Sequence, residues 1–320
     1  MERKKKILIL SSLYLLSFFV TSCGMLSLFK RDNSNGSGKG GSVDIKQEKI
    51  TYQYHDGSGD YRLIKESGKV KSKNLYYVKS RILSEESGES EEALLEKSLT
   101  IASKSKLNRR QKQKLASKGG AQESVSILRP LVSQYTVWLE GKKYFSQFKV
   151  DAQKQIMEIF SITPENKKGQ KQTLHLPKGN GIYCFFSQVP ECIKVTGFLN
   201  MAKEKRAGNM SFYLIWDGYP HYQHLYENFN EDAYSMASFN YDGIADDGTI
   251  RYELKTEREQ SIFFHFNKDN DLIKKLWVAR GVGQEREDYS KSSKAEKDGD
   301  GGGGEQATSN EEDDDLGFEG

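Results

Sequence analysis

Thr249-Ile250-Arg251-Tyr252-Glu253-Leu254-Lys255 sets Ile250, Tyr252 and Leu254 against Thr249, Arg251, Glu253 and Lys255. Apolar and polar residues alternate with a period of two, as in a strand with one face in a core and the other in water. Working outward, similar runs recur at 132–139, 143–150, 155–162, 181–186, 192–199, 210–216, 234–241, 261–266 and 272–278. Their spacers are turn formers: Glu140-Gly141, Asn180-Gly181, Asp217-Gly218, Asp242-Gly243 and Asp247-Gly248. Short strands joined by short turns predict a mainly β fold, an antiparallel meander that closes as a barrel or folds over as a sandwich to manage its edges.

Upstream, Tyr52, Tyr54, Tyr61, Leu63, Tyr76, Tyr77 and Val78 lie between Gly-containing breaks, which fits two or three short strands over 50–83. From Glu89 to Lys118 the pattern changes. Leu94, Leu95, Leu99, Ala102, Leu107 and Leu115 recur at helical spacing among charged residues, with no Pro or Gly before Gly119. One or two helices are therefore expected near 89–118. Glu89, Glu91, Glu92 and Glu96 suit the start of such a helix, and the basic far half suits its end.

The first residues carry an address. Met1 to Lys6 holds four bases against Glu2, residues 7–20 are apolar apart from three serines, and Val20-Thr21-Ser22-Cys23 follows. This is the layout of a secretory signal over 1–22. The end of that segment resembles the lipobox of bacterial lipoproteins, which implies that Cys23 becomes a diacylglyceryl-modified N-terminus. An anchor of two or three chains, at about 0.8 kcal/mol per buried methylene, holds a protein on a membrane far more firmly than one chain does. A transmembrane helix at 7–20 is the competing reading, but fourteen residues fall short of the roughly twenty that a span needs.

Residues 23–45, with their Gly, Ser and Asn, have too little apolar content to bury anything and read as a tether. Such a tether reaches about 25 Å as a coil. A lipidated cysteine followed by this kind of tether is similar to the outer-surface lipoproteins of spirochaetes, borrelial ones in particular. The resemblance covers the first forty or so residues and implies an outer-membrane, surface-displayed head, the antigen-like geometry of that group; a periplasm-facing head is the alternative. Beyond the tether come a segment of short strands and basic helix at 46–120, an antiparallel β domain at 121–283, and a Gly-rich acidic tail at 284–320. Residues 305–320 hold seven acids and no base.

The chain has 48 Lys+Arg and 45 Asp+Glu, but four of the bases and one acid precede Cys23, which leaves 44 of each in the mature form. A net charge of zero gives no argument for nucleic acid as a partner. Charge is nonetheless separated. Lys104, Lys106, Arg109, Arg110, Lys112 and Lys114 lie in a stretch without acids, and 108–113 has the order of a heparin-binding segment. These bases are candidates for a polyanion such as a host glycosaminoglycan, against the plainer reading of a solvated face.

Tyr219, Tyr222 and Tyr226 crowd one segment and are candidates for an exposed aromatic surface that meets a matrix or serum protein. Cys184 and Cys192 fall in two apolar runs which, if paired as a hairpin, bring the sulfurs opposite each other, so a disulfide is expected after export. His221, His224 and Glu227 offer metal-ligand chemistry only if a helix makes them converge, and neither HExxH nor CxxC accompanies them. No P-loop and no GxSxG elbow is present either. No cofactor, metal or catalytic residue is assigned, and the sequence reading is a non-enzymatic binder of host macromolecules, with a periplasmic β-barrel carrier of a small ligand as the alternative.

Overall fold

The structure, a computed structural model, describes residues 47–57, 59–70, 75–84, 91–106, 124–177 and 181–289. The signal, Cys23, the tether, Arg109, Arg110, Lys112, Lys114 and the acidic tail lie outside the described residues. None of the described helices is long and apolar enough to cross a membrane.

Fifteen strands form one sheet. The first eight are β1 (Glu48–Asp56), β2 (Gly59–Lys69), β3 (Leu75–Ser84), β4 (Glu91–Lys106), β5 (Ser124–Leu139), β6 (Lys142–Asp151), β7 (Ile156–Ile162) and β8 (Gln170–His175). The rest are β9 (Tyr183–Phe185), β10 (Asn209–Ile215), β11 (Tyr234–Ile244), β12 (Ile250–Thr256), β13 (Ile262–Phe266), β14 (Leu272–Trp277) and β15 (Val282–Arg286). Their order across the sheet is β8-β7-β6-β5-β4-β3-β2-β1-β15-β14-β13-β12-β11-β10-β9. Two meanders are thus joined at their ends by the β1·β15 pair, and all ladders are antiparallel except β9·β10.

The alternation that predicts β12 is reproduced residue by residue: Ile250, Tyr252 and Leu254 are buried, while Arg251, Glu253 and Lys255 are not. The sheet folds back on itself so that β5 packs against β9 and the segment behind it, but the ladder does not close. At its ends, side chains reach across in place of backbone pairing: Tyr234 Oη donates to the His175 carbonyl at 3.0 Å and Tyr183 Oη to the Pro177 carbonyl at 2.9 Å. The enclosed core includes Trp216, Trp277, Phe212, Phe239, Tyr252 and Phe264. At about 1.5 to 3 kcal/mol for each large apolar side chain buried, this interior supplies the main driving force for folding.

Two expectations are corrected. Residues 91–106 are not helical; they form β4, paired with β3 on one side and β5 on the other. Two ladders outweigh the helical spacing of Leu94, Leu95 and Leu99, because strand propensity is decided by neighbours more than by local pattern. Residues 107–118 lie outside the described part. In turn, 192–199 is not a strand. A short 3₁₀ turn at Phe186–Gln188 leads into α1 (Val189–Val195) and α2 (Phe198–Lys205). Pro190 sits in the first turn of α1 with Glu191, where the missing N–H of proline and a negative charge are both favourable. Gly197, at φ 76°, makes the left-handed step between the helices. Val189, Cys192, Ile193, Phe198 and Leu199 are buried, so α1 and α2 fill the inside of the folded sheet.

Candidate functional site

The strand register builds a polar row on the inner face of the first meander. Lys65 of β2 pairs with Ser80 of β3, Ser80 with Glu96 of β4, and Glu96 with Tyr135 of β5. A second row crosses the other meander: Phe264 of β13 pairs with Lys275 of β14, Lys275 with Gln284 of β15, and Gln284 with Tyr54 of β1. Both rows line one inner chamber of about 90 Å³. Charged residues thus occupy inward positions that an ordinary core fills with apolar ones.

The chamber opens into a wider cleft of about 790 Å³, walled by Leu94, Val137, Trp138 and Tyr61 and rimmed by Asp56, His224, Arg258 and Arg280. Tyr54, Ile82, Leu94 and Tyr226 belong to both spaces and form the passage between them. The phenols of Tyr54 and Tyr226 are neighbours there. Burial raises both phenols, that of Tyr226 to about 12, so the pair is neutral.

Asp217 lies beside the chamber floor. It follows β10 in the turn Trp216-Asp217-Gly218, where glycine is required because a Cβ on Gly218 would collide with the Tyr222 ring. Its carboxylate accepts hydrogen bonds from Ser133 Oγ at 3.1 Å, Ser187 N at 3.3 Å and Ser187 Oγ at 2.5 Å. Ser98 and Ser187 hydroxyls lie 3.3 Å apart, which extends the network to β4. Glu96 meets the same carboxylate. Burial first, then the Asp217 charge, pushes its carboxyl well above the usual range, and a hydrogen bond to Asp217 fits a protonated Glu96 that donates. Asp217 is also raised by burial, against the pull of its serine donors.

Two lysines face these acids. Lys65 Nζ contacts Glu191 Oε1 at 2.6 Å. Lys275 Nζ stands 3.9 Å over the Phe186 ring, and burial lowers it to about 8 despite the opposing pull of Glu96 and Asp217. Several buried polar atoms here have no partner among the described residues: Glu96 Oε1, Glu191 Oε2, Tyr135 Oη and Trp277 Nε1. Such atoms are costly to bury and rare in a finished core.

The residues singled out from sequence are distributed otherwise. Cys184 and Cys192 are joined by a disulfide, but through the step from β9 into α1 and not across a hairpin. Tyr222 is no part of an exposed surface: it is 4% exposed, packed edge-on among Tyr135, Trp216 and Phe229. Tyr219 is half-buried against the core, and Tyr226 faces the cleft. The cause is the aromatic excess itself, which packs inward because each ring gains more from burial than from display. Lys104 is exposed near the end of β4, which Lys106 closes.

His221 is buried and lowered by that burial, with its ring edge-on to Tyr144 and 6.1 Å from that of His224. Among the described residues no group of three or more His, Cys, Asp or Glu converges as a metal site. His265 meets Thr249 Oγ1 at 2.9 Å through Nδ1, and Thr249 Oγ1 donates to Asp247 at 2.5 Å. The carboxylate thus holds the hydroxyl and not the imidazole, the reverse of a nucleophilic triad.

The sequence reading missed Lys65, Glu96, Asp217 and Lys275 as a group. One signal was present: Lys65 follows Tyr61 and Leu63 on the same alternating face, a charge where the stripe calls for an apolar residue. Comparison of the chain with protein families, with curated proteins and with solved structures finds no match, and no catalytic family is identified.

Proposed function

We propose that the chain is an extracytoplasmic lipoprotein, anchored through Cys23, whose folded β head binds a small amphipathic molecule in the cleft. The observation that carries this reading is the union of a cleft of mixed apolar and polar lining with a polar floor whose buried atoms lack partners among the described residues. A volume of about 790 Å³ falls within the range of about 300 to 1,000 Å³ typical of small-molecule sites, and the lining combines apolar side chains at Leu94, Val137, Trp138 and Leu139 with polar ones at Asp56, Glu227, Asn228, Arg258 and Arg280.

Native mass spectrometry of the full chain, incubated with small-molecule extracts of its growth medium, tests the proposal. The native chain is expected to carry small organic adducts that disappear when Leu94→Trp fills the passage. Adducts of equal abundance on both proteins, or none on either, overturn the cleft as a site.

A further inference from the structure

The charges at the floor balance only with a proton included. Lys65 contacts Glu191 at 2.6 Å and Lys275 faces both Glu96 and Asp217, so two lysines stand among three acids and one carboxyl is left for a proton to neutralise. Glu96 Oε1 is cut off from solvent and has no partner. Its cross-strand neighbour Tyr135, 1% exposed, lines the same chamber with an unpartnered hydroxyl. Around them stand the rings of Tyr54, Tyr222, Tyr226, Phe186 and Trp277. An ammonium group has three donors and no acceptor and is attracted to aromatic faces, so it meets what this floor offers. Lys275 shows that the chamber accepts such a group, since its own Nζ sits 3.9 Å over Phe186.

We propose, as a refinement resting on the cleft reading above, that the chamber binds the ammonium group of a primary amine. The ammonium takes the place of the Glu96 proton, and the apolar body of the ligand lies in the outer cleft. The exchange balances: a protonated amine enters, Glu96 becomes a carboxylate, and one proton leaves to solvent. A chamber of about 90 Å³ admits an aminomethyl arm but not a ring, so the ligand carries its amine on a short unbranched arm threaded past Tyr54 and Tyr226. A carboxylate ligand is disfavoured, since it would add a fourth acid beside Glu96, Asp217 and Glu191, which already outnumber the two lysines.

The charged and titratable groups facing Glu96 are Asp217, Lys275, Lys65 and the Tyr135 and Tyr222 phenols, with Glu191 behind Lys65. Rising pH removes the competing proton from Glu96 and the charge from Lys275. Both changes favour an incoming cation as long as the amine stays protonated.

Isothermal titration of the full chain with tryptamine, and with the neutral alcohol tryptophol, tests this. Near pH 8, tryptamine is expected to bind about tenfold or more tighter than tryptophol, the scale of one charge-assisted hydrogen bond. The preference should shrink toward pH 6, by at most about tenfold per pH unit, with proton release visible in buffers of different ionisation enthalpy. Glu96→Gln should bring the ratio of tryptamine to tryptophol affinity to about one, and Tyr135→Phe should lower that ratio; tryptophan fluorescence of each variant without ligand reports that it is folded. Equal binding of the two compounds without proton release overturns the amine inference and leaves the cleft reading standing. Failure of both compounds to bind, alongside adduct-free mass spectra, removes both.

Discussion

Two buried charged clusters in this molecule solve the same problem differently. At the cleft rim, Arg280 grips Glu259 with both ends of its guanidinium and also donates to the carbonyls of Glu227 and Asn228. Nearby, Glu231 accepts from Thr256 Oγ1 and from the Glu259 amide. Nearly every donor and acceptor there is used. At the floor, Glu96, Tyr135 and Trp277 each keep an atom without a protein partner. The rim cluster pins the 227–231 and 256–260 segments to the end of β14, which is a structural task. The floor cluster leaves its capacity unspent inside the protein, which is how a receptor for something else is built.

If the contrast is correct, the rim should break more dearly than the floor. Arg280→Ala orphans a Glu259 side chain that is 3% exposed, and should destabilise by about 3 to 5 kcal/mol, measured by denaturant unfolding. A loss below about 1 kcal/mol would place the rim among ordinary surface pairs. The disulfide is next in size. It ties α1 to β9 and so holds Glu191 and Ser187 over the floor; replacing both Cys184 and Cys192 by Ser should cost about 2 to 3 kcal/mol by loop entropy. A loss of that size with tryptamine binding unchanged would show that the floor keeps its shape without the link.

How much of this could be read from the chain divides along the same line. Ile250, Tyr252 and Leu254 announce β12 because each strand of the second meander packs one face inward and keeps the other wet; Asp247-Gly248 makes its expected turn before β12, whereas Asp242-Gly243, expected as a turn, lies inside β11 at a bulge. Glu96 misleads for the opposite reason. Beside Glu91 and Glu92, and among leucines at helical spacing, it reads as the acidic start of a helix. Only pairing with β3 and β5 turns it inward to face Asp217, more than a hundred residues away. Asp217 is legible as a turn former, and it does sit in a turn, but the chain gives no local sign that its carboxylate points into the core. Cys184 and Cys192 were legible as a pair because eight residues separate them, a proximity that survives whether a hairpin or a helix joins them.

The smallest expected effect addresses the central claim most directly. Burial raises Glu96 above its unfolded value, so its contribution favours the native state at low pH and is lost as pH rises through the folded value. Lys275, lowered to about 8, disfavours the native state as pH falls through that value from its ordinary alkaline range. Glu96→Gln keeps the shape of the protonated acid and removes only the titration. Denaturant unfolding of the two proteins without ligand, at about pH 4 and about pH 8, should find them nearly equal in acid and the variant more stable by about 1 kcal/mol or more at the higher pH. A variant less stable than the native chain by about 2 kcal/mol at both pH values would mean that Glu96 is a structural residue, and would contradict the account of the floor as a binding site.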